Sequence, residues 1–335
     1  MSAALLSVDN LAVEYHTARG AVRAVDGASF SVPEGSITGL VGESGCGKTT
    51  AARAITGVIA GNARITSGAL VFKGRDLIAG GEAEWRKARW REIAFVPQSA
   101  MNSLNPVHRV GAQIEEVLVH RGGLRRAGAR ARARELFELV GRNASRLVEY
   151  PHQFSGGMRQ RVAIALALAL NPGLVIADEP VTALDVIVQR QVLDMILELQ
   201  QRLQLSMILV THDISVVAYV CDRIVVMYAG QVVEDGAARD VLEAPLHPYT
   251  MGLTNAFPDL ERAGGELVPI EGSPPDLIDP PPGCRFAPRC PFAETRCHSV
   301  PPPREMIGGR GVSCHRAFEA EALRGLAQLP ETWKA

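Results

Sequence analysis

The chain has 335 residues, 47% of them hydrophobic and 21% charged, with a formal net charge of −1. That length supports one large domain and an appendage, the apolar fraction supplies an ample core, and near-neutrality excludes recruitment of nucleic acid or acidic lipid by global charge. The longest apolar run, Val162 to Leu170, is nine residues, against the ~20 needed to cross a bilayer. The start, Met1-Ser2-Ala3-Ala4-Leu5-Leu6, lacks the basic and apolar regions of a secretion signal. The expectation is a soluble, cytosolic protein that meets a membrane through a partner.

Residues 5–41 alternate short apolar runs with turns at Ala18-Arg19-Gly20-Ala21 and Pro33-Glu34-Gly35, which predicts a small, mostly antiparallel β region. Within it, Leu11 to Tyr15 alternates like a half-buried strand. Ser36 to Val41 is apolar and half β-branched, a further strand. Gly42-Glu43-Ser44-Gly45-Cys46-Gly47-Lys48-Thr49 follows with the spacing G-x-x-x-x-G-K-[ST], and Thr50 to Gly57 reads as a helix closed by glycine. Strand, glycine loop and helix in that order are the context a phosphate-binding loop requires. The glycines bend the backbone tightly and expose N–H groups to phosphate oxygens, and the helix adds the positive end of its dipole. Gly42, Ser44, Gly45, Cys46, Gly47, Lys48, Thr49 and Thr50 are the candidate contacts. Lys48 would neutralise the β- and γ-phosphates, and the Thr49 hydroxyl would hold Mg²⁺.

Residues 65–98 return to β character, with Ala69 to Phe72 and Ile93 to Gln98. From about 110 to 170 the period turns helical, over Ala112 to His120 and Ala127 to Val140. Arg121, Arg125, Arg126, Arg130, Arg132 and Arg134 read as a solvated face near lipid headgroups or partner acids. No stacking aromatics accompany them, so nucleic-acid binding is not expected. Phe154-Ser155-Gly156-Gly157-Met158-Arg159-Gln160-Arg161 opens the helix that continues through Leu170, and two glycines after a serine at a helix start make a second anion-binding end.

Leu174 to Ala177 is a fully apolar strand that ends in Asp178 and Glu179. Asp178 is expected near Thr49, holding Mg²⁺ directly or through water, and Glu179 polarises the water that attacks the γ-phosphate. Val188, Val192, Met195, Ile196, Leu199 and Leu203 form one stripe of a long helix. Met207 to Val210 and Ile224 to Met227 are further buried strands. This alternation predicts an α/β fold with a parallel sheet and helices on both faces.

Six cysteines divide into two groups. Cys46 either fills a variable position of the loop or is a thiol whose pKa the helix N-terminus lowers; Cys221 reads as packing. Cys284, Cys290, Cys297 and Cys314 lie in a proline-rich tail beyond Ala263-Gly264-Gly265, spaced x5, x6 and x16. That proline density predicts no helix or central strand. Four thiols there suit a metal staple. Zinc usually asks for a close C-x₂₋₄-C pair, whereas wider spacing suits a [4Fe–4S] cluster. Zinc, with His298 and His315 as spare ligands, and unmetallated packing cysteines stay open.

Ser155-Gly156-Gly157, set between the phosphate loop and Asp178-Glu179, resembles the signature of the ABC transporter ATPases. The resemblance covers roughly residues 5–255 and implies an α/β P-loop NTPase (ABC ATPase). Its parts are a RecA-like parallel-sheet core, an antiparallel β subdomain, a helical subdomain at about 99–170 and a Pro/Cys-rich C-terminal extension. It implies domains at 1–262 and 263–335, with ATP and Mg²⁺ as ligands. Tyr15 takes the place of the aromatic that stacks on adenine. Gln98 stands for the glutamine that senses Mg²⁺ and the membrane partner, and Ala183-Leu184-Asp185 for the loop that crosses to the other subunit. His212 stands for the histidine on the γ-phosphate, so Glu179, His212, Lys48 and Gln98 are the catalytic set. Thr49, Gln98 and Asp178 would hold Mg²⁺. Ser155, Gly156, Gly157 and Met158 would close over ATP held by a partner. Met158 departs from the glutamine many relatives carry and removes a side-chain donor.

Ser99 to Pro106, His247 to Leu253 and the cysteine tail further resemble the ATPases of dipeptide and oligopeptide permeases. This implies a second homologous ABC ATPase, two transmembrane permease subunits, an extracytoplasmic peptide-binding protein and the cytoplasmic face of the membrane. A nickel or other oligopeptide-type importer shares these marks. A nucleic-acid-acting ABC mechanoenzyme and a soluble regulator with a cysteine sensor are the remaining readings.

Overall fold

The computed structural model of the chain describes residues 4–98, 100–255 and 269–333. In chain order, β1 (Ala4–Thr17), β2 (Gly20–Pro33) and β3 (Ile37–Val41) lead into α1 (Lys48–Thr56), followed by β4 (Ala63–Phe72), β5 (Arg75–Asp76), α2 (Gly81–Ala88) and β6 (Ile93–Val96). Helices α3 (Ala100–Ser103), α4 (Val110–His120), α5 (Arg126–Leu139) and α6 (Gly156–Ala167) precede an alternating stretch of β7 (Leu174–Asp178), α7 (Val186–Leu203), β8 (Ser206–Thr211), α8 (Ile214–Val220) and β9 (Arg223–Tyr228). Then come β10 (Gln231–Ala237), α9 (Ala238–Glu243), α10 (Pro248–Asn255), α11 (Thr295–Ser299), β11 (Glu305–Ile307), β12 (Arg310–Val312) and α12 (Ala320–Ala327). These elements form two compact units. One takes in Val32–Ile37 and Gly80–Val210; the other takes in Leu6–Ser31, Thr38–Ala79 and the chain from Thr211.

In the first, the carboxylate unit, β6, β7 and β8 run parallel, with Ile93 opposite Leu174 and Leu174 opposite Ser206. All five residues of β7 are buried, as expected of a strand covered on both faces. Ile114 and Leu118 of α4, Leu136 and Phe137 of α5 and Phe154 are buried together, and Phe137 meets Phe154 edge-on at 6.2 Å between ring centroids. Helix α2 is a correction to the β character expected over 65–98. Its Glu82 and Glu84 in the first turn and Arg86 and Lys87 in the last complement the helix dipole, a charge pattern that outweighs the glycines before it.

In the second, the phosphate-loop unit, the antiparallel sheet runs β2-β1-β4-β5, with Leu6 opposite Phe72 and an irregular register between Asp9 and Ala12. Strand β3 pairs in parallel with β9, Val41 opposite Val226. β9 continues antiparallel to β10, β10 to β12 and β12 to β11. The expectation of no regular structure in the tail therefore fails at α11, in the proline-free stretch 292–300, and again after residue 303. Between 304 and 329 there is no proline, so N–H donors are again available, and β12 extends the ladder through Glu234 opposite Val312. One apolar cluster joins Val226, Tyr228 and Tyr249 to Phe286, Phe292, Val312, Leu323 and Trp333 of the tail. The composition break at 263 lies outside the described residues.

Candidate functional site

The sequence-predicted residues divide between the two units. Gln98, Ser155, Gly156, Gly157, Met158, Asp178, Glu179 and Asp185 belong to the carboxylate unit. Tyr15, Gly42 to Thr50, His212 and the tail cysteines belong to the phosphate-loop unit.

In the phosphate-loop unit, the backbone coils between the end of β3 and α1. Gly42, Gly45 and Gly47 have φ of 154°, 81° and 102°. At Gly47, the N-cap of α1, a Cβ would stand 2.1 Å from the Ala24 carbonyl oxygen as well as in a left-handed conformation, so no other residue fits. Gly47 gives helix α1 no side-chain cap. Lys48 is 6% exposed, and its ammonium donates to the carbonyls of Gly42 at 2.7 Å and Glu43 at 2.8 Å. Ser44 and Gly45 form the exposed crest of the loop. The Tyr15 hydroxyl is 3.3 Å from that of Thr50, which brings the adenine candidate to the first turn of α1. His212 is exposed just beyond β8.

Cys46 does not behave as a reactive thiol. It is 1% exposed, and burial pushes its pKa up, with the Lys48 charge pulling against it. Its place is that of a small buried filler beside Gly42.

In the carboxylate unit, Asp178 ends β7 and is 1% exposed. Glu179 follows in a left-handed conformation (φ 48°), its N–H on the Val210 carbonyl at 2.8 Å. Its carboxylate accepts from the Gln98 amide at 2.7 Å and the Thr182 hydroxyl at 3.1 Å. Ser155 is the exposed N-cap of α6, and Gly156, Gly157 and Met158 form its first turn. The Met158 sulfur accepts from Arg146 at 3.4 Å. Asp185 caps α7 through the Val188 N–H at 3.0 Å. Beside it Val186 and Ile187 are 82% and 72% exposed.

The tail cysteines converge. Cys284, Cys290, Cys297 and Cys314 line one cavity with His247 and Phe286. Each sulfur accepts backbone N–H groups: Cys284 from Phe286 and Ala287, Cys290 from Phe292, Cys297 from Glu294 and Cys314 from Arg316. Burial raises the Cys284 thiol and pushes Cys290 and Cys314 up to about 12. His247 is 1% exposed; its Nδ1 accepts from the Tyr249 N–H at 3.0 Å, which leaves the proton on Nε2, and Nε2 has no protein partner. Among the described residues no three of His, Cys, Asp or Glu stand close enough to hold one metal ion. The zinc alternative therefore gains no support, since a tetrahedral Zn²⁺ draws its ligands within about 2.3 Å of one point.

Three residues that sequence reasoning passed over prove central to the second unit. Glu43 sits in a variable loop position, Tyr249 lies in the stretch His247 to Leu253, and Arg289 lies beside Cys290 in the tail. The Glu43 N–H donates to the Tyr249 hydroxyl at 2.9 Å, and Arg289 pairs with the Glu43 carboxylate at 2.8 Å. The one available signal was the charge of Glu43, an acid placed where an anion is to bind.

The ABC transporter family profile matches residues 25–182, and the profile of the oligopeptide/dipeptide transporter C-terminal region matches residues 233–297. The dipeptide transport ATP-binding protein DppD of Bacillus subtilis is 46% identical over 98% of this chain and 94% of its own length. The oligopeptide transport ATP-binding protein OppD of Escherichia coli is 45% identical over 94% of each. Among solved structures, a dimeric ATP-binding cassette in a post-hydrolysis state with ADP and Pi aligns with a TM-score of 0.62 and 28% identity, covering 70% of this chain and 99% of that one. The chain belongs to the ABC transporter family, as an ATP-hydrolysing subunit that carries the oligopeptide/dipeptide transporter C-terminal region.

Proposed function

We propose that this ATPase powers the import of dipeptides or oligopeptides. The reading rests on the C-terminal region joined to the cassette, together with relatives whose names specify those substrates. In it, Lys48 and the loop N–H groups bind the phosphates, Thr49, Asp178 and Gln98 hold Mg²⁺, and Glu179 polarises the attacking water with His212 at the γ-phosphate. The Gln98–Glu179 hydrogen bond supports a single unit of Mg²⁺ sensing and base positioning. Ser155 and Asp185, both exposed, serve a second homologous ATPase, and the exposed pair Val186 and Ile187 suits such a face. Two permease subunits and an extracytoplasmic binding protein complete the assembly, with this chain on the cytoplasmic face and residues 1–262 and 263–335 as its two functional parts. Reconstitution with the co-purifying membrane proteins tests this: peptide-loaded binding protein should stimulate hydrolysis and peptide should enter the vesicles. Uptake of nickel alone, or co-purification with nucleic acid and no membrane protein, would sink it.

The cysteine cavity is read as the seat of a [4Fe–4S] cluster. Support comes from four thiols on one cavity, from backbone N–H groups on every sulfur and from His247 on the same lining, whose buried Nε2 has no protein partner. N–H donors to sulfur stabilise thiolate rather than thiol, the form a cluster takes. A bound cluster would supply four cross-links between tail segments and a one-electron couple. Iron and sulfide analysis after anaerobic purification tests it; a tail folded without iron, with all four thiols alkylatable, would discard it.

A further inference from the structure

Arg289 ends a 3₁₀ turn, Ala287–Arg289, directly before Cys290. Its Nη1 donates to Glu43 Oε2 at 2.8 Å and to the Tyr228 hydroxyl at 3.2 Å. Nη2 donates to Glu43 Oε1 at 3.1 Å and to the Ile270 carbonyl at 3.1 Å, and Nε to the Glu271 carbonyl at 2.9 Å. All the N–H groups a guanidinium offers are thus engaged, and only 7% of the side chain is exposed. The pair with Glu43 is a two-point fork, the geometry that fixes orientation as well as charge.

Glu43 is held at each of its polar groups. Arg289 takes the carboxylate, Tyr249 accepts the N–H, and the carbonyl accepts from the ammonium of Lys48 at 2.8 Å. An acid inside a phosphate loop is also an electrostatic fault: left unpaired, it repels the polyanion the loop exists to bind. We propose that Arg289, carried by the C-terminal segment, is a positioning residue for ATP. It neutralises Glu43, turns its carboxylate from the phosphates and fixes the backbone that presents Lys48. The C-terminal segment is thereby part of the nucleotide-binding machinery. This inference rests on ATP binding and does not depend on the cluster or on the transported substrate.

The test uses the full-length chain with ATP and Mg²⁺, measuring equilibrium binding and steady-state hydrolysis. Arg289→Gln should raise both Kd and KM for ATP by about tenfold, with kcat changed by less than about twofold, because ground-state and transition-state binding weaken together. Arg289→Lys keeps the charge without the fork and should fall between; it carries the test if Arg289→Gln does not fold. Glu43→Gln removes the anion itself. Adding Arg289→Gln to it should cost little more, the coupling expected of residues in contact. Unchanged KM in folded variants, strictly additive losses, or a fall in kcat at constant KM that follows the loss of folded protein would each overturn the proposal. Because no peptide or permease enters the assay, its failure leaves the transport reading standing.

Discussion

The side-chain amide of Gln98 donates to the carboxylate of Glu179 at 2.7 Å, across the neighbouring ends of the parallel strands β6 and β7. Oε2 of that carboxylate also accepts from the Thr182 hydroxyl at 3.1 Å, so two neutral donors fix the orientation of the group. Glu179→Gln should therefore lower hydrolysis by roughly 10²–10⁴ while ATP still binds and an ATP-bound dimer accumulates in gel filtration. Hydrolysis by this variant at the wild-type rate would remove Glu179 from the role of base.

The second glycine of the signature is set by packing. A Cβ at Gly157 would meet Val188 Cγ1 at 2.2 Å. Gly157→Ala should cost about 1–3 kcal/mol in denaturant unfolding, and Val188→Ala in the same chain should recover most of it. No recovery would mean that Val188 is not the obstacle.

The six cysteines should separate by function. On the cluster reading, Cys290→Ser should lose bound iron and visible absorbance, whereas Cys46→Ser and Cys221→Ser, at residues that do not line the cysteine cavity, should keep both. Iron loss in the Cys221 variant would contradict the assignment.

His247 offers a finer probe of the same cavity. With Nδ1 committed to the Tyr249 N–H, its buried Nε2–H has no protein partner, and the residue lines the cavity. Hydrogen bonds to cluster sulfur raise the reduction potential, so His247→Phe should lower the midpoint in a redox titration of iron-loaded protein. An unmoved potential would place the histidine outside hydrogen-bond reach of the proposed cluster.

Glu234 should give stability an acid-favouring slope. Burial raises its pKa to about 7, against two backbone N–H groups, from His247 and Leu246, that pull it down. A folded pKa above the unfolded value near 4.5 means that the folded state holds the extra proton between those limits, so stability falls as pH rises through that window. The stability of wild type relative to Glu234→Gln should fall from pH 5 to 7, by at most about 1.4 kcal/mol per unit. A gap that does not change with pH would show an unperturbed carboxyl.

The phosphate loop, both carboxylates, the signature serine and the long amphipathic α7 were legible because each is local: a glycine spacing, a strand that ends in acids, a stripe at helical period. Helix α2 escaped because its case rests on charges at its ends rather than on apolar period. Helices α11 and α12 and strands β11 and β12 escaped because proline counts taken over the whole tail hid the proline-free stretches 292–300 and 304–329.

What the sequence determined alone was chemistry confined to a few consecutive residues, since backbone geometry there follows directly from residue type. That Gln98 meets Glu179 across 81 positions, that Arg289 reaches back 246 positions to Glu43, and that four scattered thiols share a cavity with His247 were decided by tertiary structure. The physical reason is that a salt bridge or a cavity wall depends on which buried faces pack together. That choice is made by the summed burial of the whole core, and no pattern within a short window carries it.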